Sequence, residues 1–354
     1  MKKLINILKK KKSIPLDQFI NISLYDKKHG YYIKKNPFGK EGDFITSPLI
    51  SVLFAEMIAV WCVSYWEHLG KPKKIFIVEL GPGNGTLSKD LLKIFKQFSE
   101  FYNCLEIKLL EVSDNLRVIQ KKTIVSKKVK WIKSIEKISC GPIIFLGNEF
   151  FDALPIKQIY KINNLWFEKH VCLSKNNKTF EFLLKKFDKK LSKNINKLDL
   201  ISLKSCNEYP LGAIKYLTLI TKKIKKLNGC LITFDYGFIR GKRGDSLQSI
   251  RKHKYGNTLE NIGNSDITSH VNFELFSEFL KKNKLDVKKV IPQNEFLQKM
   301  GIIERASILS KKMTFKEKAN MFYRLKKLLD HKEMGTHFKV LFAHKKGQSF
   351  SLGF

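Results

Sequence analysis

Val78 to Thr86 reads Val-Glu-Leu-Gly-Pro-Gly-Asn-Gly-Thr, and this stretch decides the fold. An apolar run, Ile75 to Leu80, leads into it. Leu87, Leu91, Leu92 and Ile94 follow at helical spacing. The sequence therefore predicts a buried strand over 74–81, a glycine turn and a helix over 86–98. Glycines at 81, 83 and 85 let backbone approach a ligand where any Cβ would collide. No Gly-Lys-Ser/Thr follows, which excludes a phosphate-binding P-loop. A dinucleotide fingerprint needs its third glycine at the place of Thr86, one residue beyond Gly85.

The spacing acid-x-Gly-x-Gly-x-Gly is instead that of S-adenosylmethionine (SAM) methyltransferases. SAM has no pyrophosphate. It presents an adenosine, a sulfonium cation and a zwitterionic amino acid. Glu79, at the strand's end, is expected at the methionine ammonium, and N–H groups at the helix start at its carboxylate. Glu111 closes the second predicted strand and is the candidate for the ribose diol.

Outward from the turn, strands and helices alternate. Strands are expected at 106–112, 128–132, 142–148, 229–236, 285–291 and 337–344, with helices at 114–121, 211–227 and 273–282. Such alternation means a parallel sheet. Residues 156–192 break the rhythm with three strand-like runs, an inserted antiparallel meander or hairpin. Residues 14–70 read as helices, with Asp17 as a cap, a Gly-rich loop from Tyr25 to Asp43 and a packed helix from Pro48 to Trp66. Residues 237–270 read as loop. The expected fold is α/β, a seven-stranded Rossmann-like methyltransferase core (73–354) with an N-terminal helical cap and lid (1–72) and an inserted region at 156–210.

The fourth predicted strand ends in Asn148-Glu149-Phe150-Phe151-Asp152-Ala153-Leu154-Pro155. Ligands of open parallel sheets bind at the strands' carboxyl ends, so Asn148, Glu149 and Asp152 are expected near the cofactor and its methyl. Two carboxylates beside a sulfonium suit a cationic acceptor such as a guanidinium, which they can hold bidentately. Asp235 ends the next strand and stands either at the acceptor site or at a loop cap. His253 and His270 fall in the polar loop. Six scattered cysteines and eight histidines offer no metal set, and no cysteine pair suggests a disulfide scaffold.

The chain has 354 residues, 43% hydrophobic and 28% charged, enough for a large core. No apolar stretch is long enough to span a bilayer. The net charge of +35 invites a nucleic-acid reading. Yet the excess is lysine, with arginine only at 117, 240, 243, 251, 305 and 324, and it is spread evenly. Codon bias in an AT-rich genome accounts for it better. The lysine-rich start lacks the features of a mitochondrial presequence or a secretory signal. The expectation is a cytoplasmic bacterial protein, or one of the mitochondrial matrix if the source is eukaryotic.

Seven motifs then appear in order: Gly42 to Pro48 (G-D-F-I-T-S-P), Val78 to Leu87, Leu110 to Ser113, Asn148 to Pro155, Asp235 to Gly237, Asp266 to Val271 and Met334 to Val340. Together they resemble the MidA-like SAM-dependent methyltransferases, over nearly the whole chain. The first and fourth are the specific ones. The resemblance implies SAM as cofactor and symmetric dimethylation of a protein arginine. Mitochondrial members of the family act on a core subunit of respiratory complex I and aid its assembly. It also implies that Gly81, Gly83, Gly85 and Glu111 hold the cofactor, and that Asp43, Thr46, Ser47 and Pro48 fold over it as a lid. Asp43 joins Glu149 and Asp152 as a group that would orient the acceptor. The chain departs from the family pattern at Leu49, usually Glu, and at Asn84, usually Arg. Two other functions remain open on sequence: a SAM-binding assembly chaperone with little turnover, and an RNA methyltransferase.

Overall fold

The computed structural model describes residues 2–34, 47–163, 165–176, 178–186, 206–240, 244–251 and 254–354. Its central sheet runs in the order Val129–Ile132, Leu105–Leu110, Ile75–Leu80, Ile143–Asn148, Gly229–Phe238, Phe338–Lys345, Leu285–Val287. The first five are parallel, and Phe338–Lys345 runs against its two neighbours. Two-residue strands, Val271–Asn272 and Ile291–Pro292, pair at the side, so the sheet has nine strands where seven were expected.

Every residue of Ile75–Leu80 is buried, because helices cover both faces. Alternate side chains feed two cores. Ile75 and Ile77 pack with the helices Val52–His68 and Thr86–Phe95. Phe76, Val78 and Leu80 pack with Leu211–Leu227 and Phe273–Lys282 on the other face.

Strand order then positions the site. From Ile75–Leu80 the chain moves to one side, through Leu105–Leu110 and Val129–Ile132. It returns on the other side at Ile143–Asn148. This reversal opens a crevice beyond the carboxyl ends of the two central strands.

Several expectations change. The meander exists as Lys157–Ile162, Leu165–Leu173 and Phe180–Lys186, but outside the main sheet. With Ser13–Pro15 and Cys206–Tyr209 it forms a separate five-stranded sheet. Leu4, Leu8, Phe19 and Ile20 pack there against Ile156, Val171 and Ile267. Asp17 does not cap its helix. The helix Leu16–Tyr25 has no side-chain cap, and Asp17 accepts from the Lys157 ammonium at 2.8 Å. A nearby cation, itself buried against Glu168, takes the carboxylate that the backbone would otherwise use. The loop at 237–270 carries three short antiparallel strands, Gln248–Arg251, Lys254–Gly256 and Asp266–Thr268. The helix over 48–66 is two, Ser47–Ile50 and Val52–His68, separated by Ser51, whose side chain accepts from Leu53 N–H. Within the loop predicted from Tyr25 to Asp43, Tyr31–Lys34 is a helical turn, and the rest from 35 lies outside the described residues. The helices Gln293–Lys299, Ile302–Ser310 and Phe315–Leu329 have no counterpart in the sequence reading.

Candidate functional site

A cavity of about 1270 Å³ fills the crevice. Gly81, Gly83 and Glu111 line it from the first two strand ends, and Glu149, Phe150 and Asp152 from the fourth. Tyr25 and Tyr32 of the N-terminal helices and Asp266 of the short sheet complete the wall around them.

The three glycines of the turn are each left-handed, with φ of 63° at Gly81, 55° at Gly83 and 86° at Gly85. Side chains other than glycine resist this conformation. A Cβ on Gly81 would also lie 2.9 Å from the Phe150 ring. Asn84 accepts from the N–H and the hydroxyl of Thr86, at 3.1 and 2.8 Å, and so closes the helix start. Gly85 sits behind the wall, against Ile124.

Glu111 is buried at the cavity wall. One oxygen accepts from Ser113 N–H at 2.7 Å, the other from Gln120 Nε2 at 3.0 Å. Burial pushes its carboxyl above the ordinary range, while these donors pull it back. Glu79 is placed differently from expectation. It is buried behind the turn, away from the cavity lining, and accepts from the Ser88 hydroxyl of the following helix. Burial pushes its carboxyl up to about 7.

On the opposite side, Glu149 adopts φ 52°, left-handed for a residue with a Cβ. Its Oε1 accepts from Asn148 Nδ2 at 3.1 Å and from Ser47 N–H at 3.4 Å. The Ser47 hydroxyl donates to Gln293 at 3.4 Å, which pins this end of the expected lid, and Pro48 beside it is buried. Burial, with Asp152 close by, pushes Glu149 up to about 8. Burial pushes Asp152 up to about 7. Asp152 Oδ1 and Asn148 Oδ1 are buried with no hydrogen-bond partner among the described residues, and Asn148 itself is off the cavity lining.

Asp235, expected either at the acceptor or at a cap, is fully enclosed and absent from the cavity wall. It accepts from three backbone N–H groups, those of Phe150, Phe151 and Tyr236. It therefore shapes the turn that presents Glu149 and Asp152. Asp43, Thr46 and His253 lie outside the described residues. His270 packs edge-on to Tyr236, ring centroids 4.5 Å apart. Among the described residues no group of three or more His, Cys, Asp or Glu is placed to hold a metal ion, and no helix is long and apolar enough to cross a membrane.

Three wall residues were not singled out as site residues by the sequence reading. Asp266 accepts from the Tyr32 hydroxyl at 2.9 Å. Tyr25 donates to Ala153 O at 3.0 Å and stacks on Tyr32. Only tertiary folding brings positions 25, 32 and 266 beside 152. Membership of the Asp266 to Val271 motif was the one signal available for Asp266.

Sheet order, glycine turn and acidic wall together define a methyltransferase. A family model for S-adenosyl-L-methionine-dependent methyltransferases matches residues 57–291, and the chain belongs to that family. SAM is its methyl donor. More particularly, the chain is 29% identical over 358 residues to the mitochondrial protein arginine methyltransferase NDUFAF7 homolog of Drosophila melanogaster, covering 93% of this chain and 80% of that one. The Caenorhabditis elegans homolog is 32% identical over 307 residues, covering 78% and 70%. Human NDUFAF7 is 28% identical over 366 residues, covering 95% and 81%. The fold is similar to that of a Burkholderia thailandensis protein, assigned as a methyl transferase and crystallised with S-adenosyl-homocysteine, at a TM-score of 0.85 and 23% identity over 99% of this chain and 92% of that one.

The residues present fit SAM. Gly81 and Gly83 bring bare backbone to the wall, Glu111 offers a buried carboxylate, and Asp152 Oδ1 is an acceptor without a donor among the described residues.

Proposed function

We propose that the chain methylates an arginine of a protein. The observation that carries this is the pair Glu149 and Asp152: two carboxylates on the cavity wall, neither in an ion pair among the described residues. Buried carboxyls without a cation hold their protons near neutrality. An arriving guanidinium restores their charge and is gripped by it.

Bound SAM supplies an activated methyl on a cationic sulfonium. The chain's residues then have three tasks. Glu111 takes the ribose hydroxyls, and the Gly81 and Gly83 backbone seats the remainder closely. Glu149 and Asp152 hold the guanidinium and offset its repulsion from the sulfonium. Ser47, whose N–H donates to Glu149, and the buried Pro48 keep water from this end of the cleft, so that alignment lowers the barrier. No strong base is needed, because the acceptor nitrogen becomes acidic once methylated. Asn148 lies outside the cavity lining and donates to Glu149 Oε1, so it enters this reading as a support for Glu149 and not as a cofactor contact.

We infer further that the product is symmetric dimethylarginine in a core subunit of respiratory complex I, and that the modification aids assembly. The resemblance of 42–48 and 148–155 to the MidA-like family supports this, as does similarity to NDUFAF7 proteins over 93% of the chain. The place of action would be the bacterial cytoplasm, or the mitochondrial matrix in a eukaryote. The division into 1–72 and 73–354, with 156–210 inserted, is kept as part of this proposal.

The test is methyl-labelled SAM with extract from cells lacking the gene. Label that resists nuclease, yields to protease and elutes as methylarginine supports the reading. Label in RNA, or binding of SAM with no transfer, points to the RNA-modifying or chaperone alternative.

A further inference from the structure

Gln120 lies on the helix Asp114–Thr123, where Leu116 and Gln120 make the buried face. It is fully enclosed, an unusual place for an amide unless its hydrogen bonds are met. All three that the site asks of it are made. Its Nε2 donates to Gly83 O at 2.8 Å and to Glu111 Oε2 at 3.0 Å. Its Oε1 accepts from the Trp131 indole N–H at 2.9 Å.

The third bond fixes the other two. An indole N–H only donates, so it must face the amide oxygen. The amide nitrogen is then forced toward Gly83 and Glu111, both acceptors only. Reversing the amide would set N–H against N–H and oxygen against two oxygens. One side chain thus joins the glycine turn, the carboxylate at the second strand's end and the third strand.

We infer that Gln120, oriented by Trp131, is the positioning residue of the cofactor site: it sets the spacing of Gly83 and Glu111 and holds Glu111 ready to receive a ribose diol. The inference rests on the ribose reading of Glu111 above. A ribose diol needs an ionised acceptor. Burial opposes that ionisation, while the Ser113 N–H, the Gln120 amide, the Val112 N–H and the nearby Arg117 guanidinium favour it, Gln120 being the one side chain among them that hydrogen-bonds the carboxylate. Removing the amide donor leaves the carboxylate in place but harder to ionise.

The test is calorimetric titration of the full chain with S-adenosylhomocysteine across pH, for wild type, Gln120→Leu, Trp131→Phe and Glu111→Gln. The inference expects Gln120→Leu to weaken binding about tenfold or more and to move the midpoint of the affinity profile to higher pH. Trp131→Phe should move it the same way by less. A merely structural role would leave that midpoint where it is. Should Gln120→Leu fail to fold, by circular dichroism, Trp131→Phe carries the test alone. Weak binding in Glu111→Gln, with the midpoint unmoved in a folded Gln120→Leu (or in Trp131→Phe) whatever its affinity, overturns the inference for Gln120. Full-strength binding in Glu111→Gln overturns the ribose reading itself, and the inference with it.

Discussion

Phe151 N–H donates to Asp235 Oδ2 at 2.8 Å, which ties the turn carrying Glu149 and Asp152 to the neighbouring strand. Phe150 N–H shares the same oxygen at 3.2 Å, and Tyr236 N–H takes the other at 3.0 Å. The carboxyl shapes the site from behind the wall. Asp235→Ala strands three N–H groups, and a buried group left unpaired costs about 1–3 kcal/mol. The variant should melt several degrees lower and lose turnover together with that stability. Lost turnover at an unchanged melting temperature would place Asp235 at the reacting atoms instead.

Gly81→Val meets two obstacles, a φ of 63° and the Phe150 ring 2.9 Å from the new Cβ. Valine is among the residues least tolerant of that φ. SAM affinity should fall at least about tenfold, since relieving the strain and the clash must shift either the turn or the Phe150 ring, and both line the cavity. Calorimetry with SAM checks this. Wild-type affinity in the variant would remove the turn from the cofactor site.

The acidic interior sets a pH dependence of stability. Glu79, Glu149 and Asp152 are pushed up to about 7, about 8 and about 7 by burial. A carboxyl raised in the folded state binds its proton more tightly there than in the unfolded chain. Its contribution is fully present below the unfolded value near 4 and is lost as pH rises through the folded one. The ligand-free protein should therefore melt at progressively lower temperature between about pH 4 and about pH 8, and level off above that as far as these groups decide it. Glu149→Gln should flatten part of that decline. A melting temperature that climbs over this range would show these carboxyls to be paired with cations.

Much of this was legible in sequence wherever local pattern and tertiary role agree. Ile75 to Leu80 is apolar at every position because both faces are covered, and the glycines after it have no other local use. The helices Leu211–Leu227 and Phe273–Lys282 emerged with their bounds as read, since their apolar stripes are long. Gln248–Arg251 and Asp266–Thr268 stayed hidden. They are three or four residues long, and their burial is set by partners far away in the chain. Asp17 misled because Lys157, its partner, lies 140 residues on. Glu79 and Asp235 were read from their places at strand ends. A strand end does not reveal whether its side chain faces the crevice or the layer behind it.

Removing charge at the acceptor wall should separate binding from transfer. Glu149→Gln with Asp152→Asn keeps shape but takes away the anions that let two cations approach. SAM affinity should stay within about tenfold, while methyl transfer falls by on the order of 10²-fold or more, the range for preorganised electrostatic groups. Wild-type transfer should also rise with pH through 7 to 8, as these carboxyls ionise, and the double variant should lose that rise. Near-normal transfer by the double variant would put the acceptor elsewhere, with Asp43 and Asp266 the next to substitute.

Arginine methylation in respiratory complex I, compared by mass spectrometry between cells with and without the gene, tests the central claim most directly. The account predicts a core-subunit arginine that is symmetrically dimethylated in the first and unmodified in the second, with the mark restored by the wild-type gene but not by the Glu149→Gln, Asp152→Asn version. Identical arginine methylation in both cell lines would contradict it.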